Sequence, residues 1–297
     1  MSNLNQITTE TLNTASENLD CMNSLEIVTL MNSEDAKIAS AVKAQLPNIA
    51  KAVDLCVASL ENNGRIIYIG AGTSGRLAAI DAAECPPTFG VSKDTVIGLI
   101  AGGRQIEISL TDDKEDNPQS CIDDLKHVGL NSSDIVIGIA ASGRTPYVIG
   151  GLKYAHSLGC RTVSIACNSN STIGKLADVA VEVIVGSEVL TGSTRLKAGT
   201  SQKMILNMIS TASMVRTGKC YRNLMVDVVP TNSKLVYRAQ TILMEATGLS
   251  REEAVVAMDK ADGKLKRAIV MVLTGCSKEE ADKRLDKARG HVRGAIE

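Results

Sequence analysis

The chain of 297 residues has few aromatic side chains, which make up 2% of it, with no Trp and a single Phe. A core must therefore be built from Ile, Val, Leu, Met and Ala. The scarcity argues against a surface for single-stranded nucleic acid, because such surfaces stack bases on aromatic rings. A net charge of −1 gives no general attraction to DNA, RNA or anionic lipid. We therefore expect no nucleic-acid partner.

Long apolar runs are also missing, since none approaches the roughly 18 to 20 residues that cross a membrane. The polar N-terminus lacks the basic-then-apolar pattern of a signal peptide. The eight cysteines are scattered without a C-x-x-C pair, which is typical of reduced thiols, and the three histidines are isolated. These absences predict a cytoplasmic protein with no membrane partner, no metal site and no cofactor.

Strand and helix patterns alternate through the middle of the chain. The apolar runs RIIYIG, TVIGLIAGG, DIVIGIAASG and RTVSIAC are each followed by a loop and a helix-forming stretch. This alternation predicts an α/β fold with a doubly wound parallel sheet. We expect a helical N-terminal segment over 1–54, a sheet domain over 55–230 and a small C-terminal helical bundle over 231–297. In that bundle, Ser250-x-x-Glu253 and Ser277-x-x-Glu280 each predict a helix start.

Three loops of Gly, Ser and Thr stand between an apolar run and a helix. Backbone N–H groups at a helix N-terminus, with hydroxyls beside them, bind anions. One such loop is more often a plain capped helix start, but consecutive parallel strands open onto one crevice. The loops together predict a site for a small phosphorylated ligand. Their candidate residues are Gly72, Thr73 and Ser74, then Ser142, Gly143 and Thr145, then Thr191, Ser193 and Lys197.

The first loop also matches G-x-G-x-x-G, the dinucleotide fingerprint. That motif requires an acid about 20 residues further on, at the end of a second strand. Here that distance falls on the turn-like sequence PPTFG, while Asp81 and Glu84 stand within the preceding helix or at its end. A nicotinamide cofactor is therefore the poorer interpretation.

Two carboxylates stand beside the predicted crevice. The sequence predicts a helix from about Ser74 to Ala83, because Pro86 disfavours helical geometry in the residue before it, and Glu84 stands at that end. Glu115 follows a strand and a glycine pair, among Asp112, Asp113 and Asp116. Two carboxylates near a sugar phosphate suggest proton transfer beside a carbonyl, each contributing about 10²–10⁴-fold. Their spacing alone does not separate isomerisation from elimination.

The stretch GAGTSGRLAAIDAAECPPTFGVS, followed by GLIAGG and EDN, closely resembles the N-acetylmuramic acid 6-phosphate etherase family. ASGRTPY and TGSTRLKAGTSQKMILNM also look like motifs of that family. The resemblance covers essentially the whole chain and implies that the sheet domain is a sugar isomerase (SIS) domain. It implies a lyase that removes D-lactate from N-acetylmuramic acid 6-phosphate, giving N-acetylglucosamine 6-phosphate in cell-wall sugar recycling.

The same resemblance implies roles for the two carboxylates. Glu84 in AECPPT would protonate the ether oxygen, and Glu115 in KED would be the second catalytic carboxylate, the base at C2. The loop residues named above would hold the phosphate and the sugar hydroxyls. Two other functions stay open. One is an aldose–ketose isomerase, which would release no lactate, and the other is a sugar-phosphate sensor that binds without catalysis, like the glucokinase regulatory protein. Retention of both glutamates favours the enzyme.

Members of that family look like homodimers with sites near the subunit boundary, so we expect a homodimer here. Light scattering at micromolar concentration should give a mass about twice the 31.3 kDa of one chain. A monomer mass throughout that range would contradict this expectation.

Overall fold

The computed structural model describes residues 8–103, 114–228 and 233–297. The chain forms two compact units, the first made of Met1–Ala83 with Asp94–Ser210 and the second of Glu84–Lys93 with Thr211–Glu297. The division at residues 54 and 230 that the sequence suggests stays a prediction.

Helices open the first unit, as predicted for the N-terminal part of the chain. After short 3₁₀ turns they are α1 (Ser24–Asp35), α2 (Ile38–Lys43) and α3 (Leu46–Glu61). Pro47 lies in the first turn of α3, where a missing N–H costs little because that group has no intrahelical partner. The proline is therefore compatible with the start of α3, which buries Ile49, Val53 and Val57.

A five-stranded parallel sheet forms the centre of the first unit. Its strands are β1 (Ile66–Gly70), β2 (Val96–Ile100), β3 (Ile135–Ile139), β4 (Arg161–Ala166) and β5 (Val179–Glu182). Their order in the sheet is β2-β1-β3-β4-β5. Every residue of β1 and β3 is buried, which explains why these strands are continuous apolar runs in the sequence. The predicted α/β fold with a doubly wound sheet is confirmed. The helices that follow the strands along the chain are α4 (Gly72–Phe89), α5 (Pro118–His127), α6 (Pro146–Ser157) and α7 (Lys197–Arg216).

The prediction that the helix after β1 ends at Ala83 is wrong, because α4 continues through Pro86 and Pro87 to Phe89. A proline inside a helix removes one backbone hydrogen bond and disfavours, without forbidding, helical geometry in the residue before it. Glu84 consequently lies inside a helix, with its side chain exposed.

The burial of two side chains explains why α4 continues past the prolines, and Gly90 explains where it ends. Cys85 and Phe89, one turn apart on the helix, are 2% and 8% exposed. Their apolar contacts favour a helix that continues past the prolines. Gly90 then takes a left-handed conformation with φ 63°, and its N–H donates to the carbonyl of Pro86 at 2.9 Å. This is the common glycine ending of a helix.

The second unit is mainly helical, as predicted for the end of the chain. Ser250 and Ser277 each cap the start of a helix, accepting a hydrogen bond from the backbone N–H of the glutamate three residues later. A short hairpin before the bundle has no counterpart in the sequence prediction. Its strands are β6 (Cys220–Tyr221) and β7 (Leu224–Met225), and the helices are α8 (Ser233–Thr247), α9 (Arg251–Lys260), α10 (Leu265–Thr274), α11 (Lys278–Lys287) and α12 (Val292–Ile296). Within the described residues, no helix has the length and hydropathy needed to cross a bilayer.

A buried ion pair joins the starts of the two central strands. The Asp134 carboxylate accepts from the backbone N–H of Arg65 at 2.9 Å, from Nε at 3.0 Å and from a terminal guanidinium nitrogen at 2.6 Å. The guanidinium also donates to the carbonyls of Val128 and Gly129, each at 2.9 Å. Because Asp134 directly precedes β3 and Arg65 directly precedes β1, the pair fixes the register of the two strands.

Replacing Asp134 with Ala should lower the free energy of unfolding by about 3–5 kcal/mol, because the guanidinium of Arg65 would keep a mostly buried charge without its partner. Urea denaturation measures the loss. Arg161→Ala is the matched control, since the Arg161 side chain is exposed and its pair with Asp178 is 3.5 Å long, and we expect a change within about 1 kcal/mol. Equal losses in the two variants would contradict this account.

Candidate functional site

The strand order reverses direction between β1 and β3. In an open parallel sheet, the ligand crevice lies at the carboxyl ends of the strands, at the point where the order reverses. The loop after β1 leads into α4, and the loop after β3 leads into α6. Gly70, the last residue of β1, pairs with Ile139, the last residue of β3. The first two predicted anion loops therefore begin side by side at this point.

The loop after β1 turns tightly into α4. Gly72 has φ 50°, a backbone conformation that favours glycine. A Cβ atom at Gly75 would lie 2.6 Å from the carbonyl oxygen of Gly70, so the helix approaches the strand as closely as glycine allows. Ser74 is buried and donates to Oε1 of Gln202 on α7 at 2.9 Å, while Thr73 is half-buried. The first N–H groups of α4 have no partner within the helix, as at any helix start.

The loop after β3 holds the second set of predicted residues. Ser142 is half-buried, and Gly143 has φ 72°. A Cβ atom at Gly143 would lie 2.4 Å from Cβ of Ser171, so a side chain there is excluded by space as well as by conformation. Thr145 stands directly before α6 and is 9% exposed.

The structure brings Glu115 to the start of α6. Oε1 of Glu115 lies 3.5 Å from Oγ1 of Thr145, a long hydrogen bond, and the Glu115 carbonyl accepts from the N–H of Tyr147 at 3.0 Å. The hydroxyl of Tyr147 donates in turn to Asp124 on α5 at 2.7 Å. One predicted catalytic residue and one predicted binding residue therefore meet at the strand-order reversal. The neighbouring acids Asp112 and Asp113 lie outside the described residues.

The third predicted loop is arranged differently, because a carboxylate of the chain already occupies the start of α7. The two oxygens of Glu188, which is 1% exposed, accept from the N–H groups of Lys197 and Ala198 at 3.0 and 2.9 Å. Thr191 is exposed and Ser193 half-buried in the turn before the helix. The N–H groups that the sequence offers to a ligand at this helix start are therefore bound internally.

The loop after β4 has the same arrangement. Glu182 accepts from the N–H groups of Asn170 and Ser171, both at 2.8 Å. Internal carboxylates thus occupy N–H groups in the loops after β4 and β5. Anion binding is consequently favoured at the reversal between β1 and β3.

Lys197 is buried and paired in this structure. Its Nζ donates to Glu34 of α1 at 2.6 Å, and the two residues are 2% and 5% exposed. Lys37 contacts the other oxygen of Glu34. Burial raises the pKa of Glu34, but hydrogen bonds from the two lysines outweigh it and hold the pKa at about 2, below the ordinary 4.5. The predicted role of Lys197 in substrate binding stays a prediction.

Glu84 lies on the part of α4 that belongs to the second unit. Its side chain is exposed. Its cooperation with Glu115 stays a prediction.

Asp81 anchors α4 within the first unit. Its buried carboxylate accepts from the hydroxyl of Tyr68 at 3.1 Å, the amide of Asn207 at 2.8 Å and the hydroxyl of Ser210 at 3.0 Å. Burial raises the pKa of Asp81, and these hydrogen bonds oppose the rise. Asp81, one of the two acids that stand near the dinucleotide-like motif in the sequence, therefore links α4 to β1 and α7 through its hydrogen bonds.

Sequence reasoning did not identify two further polar residues beside these loops. Gln202 bonds Ser74, and Asn168, in the loop after β4, donates to the carbonyl of Ala141 at 3.0 Å. Asn168 directly follows the apolar run RTVSIAC, and a polar residue in that position could have indicated a place beside the crevice. Gln202 lies within a helix, and no local pattern indicates its contact with a residue 128 positions away.

Acidification should reveal the Glu34 pair. Because its pKa is lowered on folding, ionised Glu34 stabilises the protein fully above about pH 4.5, and this contribution is lost as the pH falls toward about 2. Glu34→Gln should be less stable than wild type at pH 7, since the Lys197 ammonium loses its partner, and should lose less stability between those pH values. Urea unfolding across the pH series tests this, and equal losses would contradict it.

Comparison with known proteins identifies relatives that match 90% of the chain. The SIS domain model matches residues 126–212, and the model of the glucokinase regulatory protein N-terminal SIS domain matches residues 48–156. The N-acetylmuramic acid 6-phosphate etherase of Cronobacter sakazakii is 54% identical over 267 residues, covering 90% of this chain and 90% of that protein. The protein of the same name from Clostridium beijerinckii is 51% identical, covering 90% and 88%.

A solved phosphoheptose isomerase from Francisella tularensis is 18% identical, covers 65% of this chain and 100% of its own, and has a TM-score of 0.51. That likeness concerns the fold alone. The two etherases, in contrast, match over nearly their full length, at 51% and 54% identity. The chain belongs to the N-acetylmuramic acid 6-phosphate etherase family.

Proposed function

We propose that the protein is a carbon–oxygen lyase that cleaves the lactyl ether of N-acetylmuramic acid 6-phosphate, giving N-acetylglucosamine 6-phosphate and D-lactate. The main support for this reaction is the match to the etherases over 90% of the chain. The contact of Glu115 with Thr145 at the reversal of strand order supports the assignment of the site.

The first step is removal of the proton at C2 of the open-chain sugar. The aldehyde at C1 acidifies that proton, because the resulting negative charge spreads onto the carbonyl oxygen. Glu115 is the base in this proposal. Its support is its position, since the carbonyl of Glu115 is bonded to the N–H of Tyr147 and a carboxylate oxygen lies near Thr145. Fixed placement of this kind favours the geometry needed for proton transfer.

The second step is departure of the lactyl group from C3. The C3–O bond breaks as the C2 electron pair forms a double bond, and Glu84 protonates the leaving oxygen in this proposal. Water then adds to the unsaturated aldehyde at C3, with a proton returned to C2. The products balance the substrate plus one water. The support for Glu84 is its place in the ECPPT motif, as the resemblance implies.

The phosphate and sugar hydroxyls are held by the loops after β1 and β3 in this proposal. The N–H groups of the first turn of α4 and the hydroxyls of Ser74 and Ser142 supply donors. Thr191 and Ser193 add hydroxyls in this proposal, and neither side chain is fully buried. Lys197 adds an ammonium in this proposal, since its bond to Glu34 uses one of three N–H donors.

We also propose a homodimer, as the resemblance suggests. Leu25 and Val28 of α1 are 73% and 56% exposed in the single chain, and Leu12 is 80% exposed. Apolar side chains gathered on one segment are typical of surfaces that another chain covers.

Lactate release from N-acetylmuramic acid 6-phosphate tests the reaction and both residues. We expect release by wild type, and losses of about 10²–10⁴-fold for Glu84→Ala and for Glu115→Ala, since each removes a proton-transfer group. Glu252→Ala, at an exposed position on α9, is the matched control and should keep wild-type release.

Folding and sugar-phosphate binding of each variant are measured in parallel by circular dichroism and calorimetry. A folded wild type that binds N-acetylglucosamine 6-phosphate but releases no lactate would overturn the lyase and leave a sensor. Conversion of an aldose phosphate to a ketose phosphate without lactate release would establish an isomerase instead.

A further inference from the structure

One amide at the edge of the candidate site is left with an unsatisfied hydrogen-bonding group. Gln202 is 1% exposed, and its Oε1 accepts from Ser74 Oγ at 2.9 Å. Its Nε2 has no hydrogen-bond partner among the residues that the structure describes. Buried polar groups in native proteins are almost always paired, so an unpaired amide requires a physical reason.

The two ends of the amide are nearly equal in size, so a half-turn of its terminal torsion exchanges them without changing the packing. In the structure, the Ser74 hydroxyl donates its hydrogen to Oε1 of Gln202. In any further hydrogen bond, the Ser74 hydroxyl can therefore only be the acceptor. In the reversed orientation, Nε2 donates to Ser74 and the Ser74 hydrogen becomes available. Either orientation leaves one amide atom unpaired, so the bond to Ser74 does not by itself select between them.

A bound phosphate does select between them. Phosphate oxygens only accept hydrogen bonds at neutral pH and above, and the N–H groups at the start of α4 attract such an anion. Ser74, in the first turn of that helix, can add an O–H donor only when its hydrogen is not held by Gln202. Hydrogen bonds to an ionised acceptor are roughly twice as strong as neutral ones, so the phosphate favours the reversed amide.

We propose that Gln202 is a positioning residue that sets the direction of the hydrogen bond at Ser74, and that a bound phosphate reverses the amide and converts Ser74 from an acceptor into a donor. The inference rests on the proposed function and deepens it, because it assigns the phosphate of the substrate to Ser74.

Gln202→Glu tests the direction of the bond. An ionised carboxylate only accepts, so it holds the Ser74 hydrogen and denies it to the phosphate. A protonated carboxyl can donate to Ser74 and restore the donor. We therefore expect the dissociation constant for N-acetylglucosamine 6-phosphate, measured by calorimetry, to rise about tenfold or more over wild type at pH 9. The ratio to wild type should shrink as the pH falls toward 6.

Gln202→Glu also introduces charge repulsion between its carboxylate and the phosphate. Repeating the substitution together with Ser74→Ala separates this repulsion from the loss of the Ser74 donor. Repulsion persists in that background, whereas an effect that acts through the Ser74 hydroxyl disappears. The penalty of Gln202→Glu should fall to below about threefold there, since the effects of contacting residues are not additive. The same penalty with and without the Ser74 hydroxyl would overturn the inference.

Two further variants exclude a packing effect. Gln202→Met keeps the length of the side chain and leaves the Ser74 hydrogen available, so it should bind the sugar phosphate more tightly than Gln202→Glu. Equal weakening in both would overturn the inference. Gln240→Glu makes the same change on α8, beside Arg251, and should bind as wild type does.

Thermal unfolding confirms that each variant is folded at the temperature of the titration. A wild type that binds no sugar phosphate would overturn the proposed function and this inference together. The inference alone would be overturned if the wild type binds the sugar phosphate and releases lactate, but the binding penalty of Gln202→Glu is the same with and without the Ser74 hydroxyl.

Discussion

The buried carboxylate of Asp134 holds the starts of β1 and β3 together, and the candidate site at their other ends depends on it. Three bonds from Arg65 reach this carboxylate, one from the backbone and two from the guanidinium. Since the side-chain period of a strand is two residues, a slip of one residue would reverse every side chain of β1. The register also sets Gly70 beside Ile139, which determines where the two anion loops begin.

Internal carboxylates then decide which loops remain open to a ligand. Glu182 and Glu188 bind N–H groups in the loops after β4 and at the start of α7, as a phosphate would. Helix starts and turn N–H groups attract negative charge from whatever source lies nearest. With these groups bound, the reversal between β1 and β3 is the favoured place for an external anion. Glu115, beside Thr145, is therefore near the predicted ligand.

The sequence predicts the strands well because buried parallel strands are apolar along their whole length, and β1 through β4 follow the predicted runs. It also indicates the anion loops, whose Gly, Ser and Thr residues are local signals. It fails at Pro86, where burial of Cys85 and Phe89 outweighs a local preference. It also misses Gln202 and the partner of Lys197, because both contacts join residues more than a hundred positions apart. Pairings at that separation leave no pattern in one sequence.

The pair between Glu34 and Lys197 has an evolutionary consequence. A buried charge is tolerated only with its partner. Neutralising Glu34 leaves the buried Lys197 without its partner, and neutralising Lys197 leaves the buried Glu34 with Lys37 alone. Neither position can drift alone without a loss of stability. Among related chains the two positions should therefore change together, although they stand in different parts of the sequence and neither needs to touch a substrate.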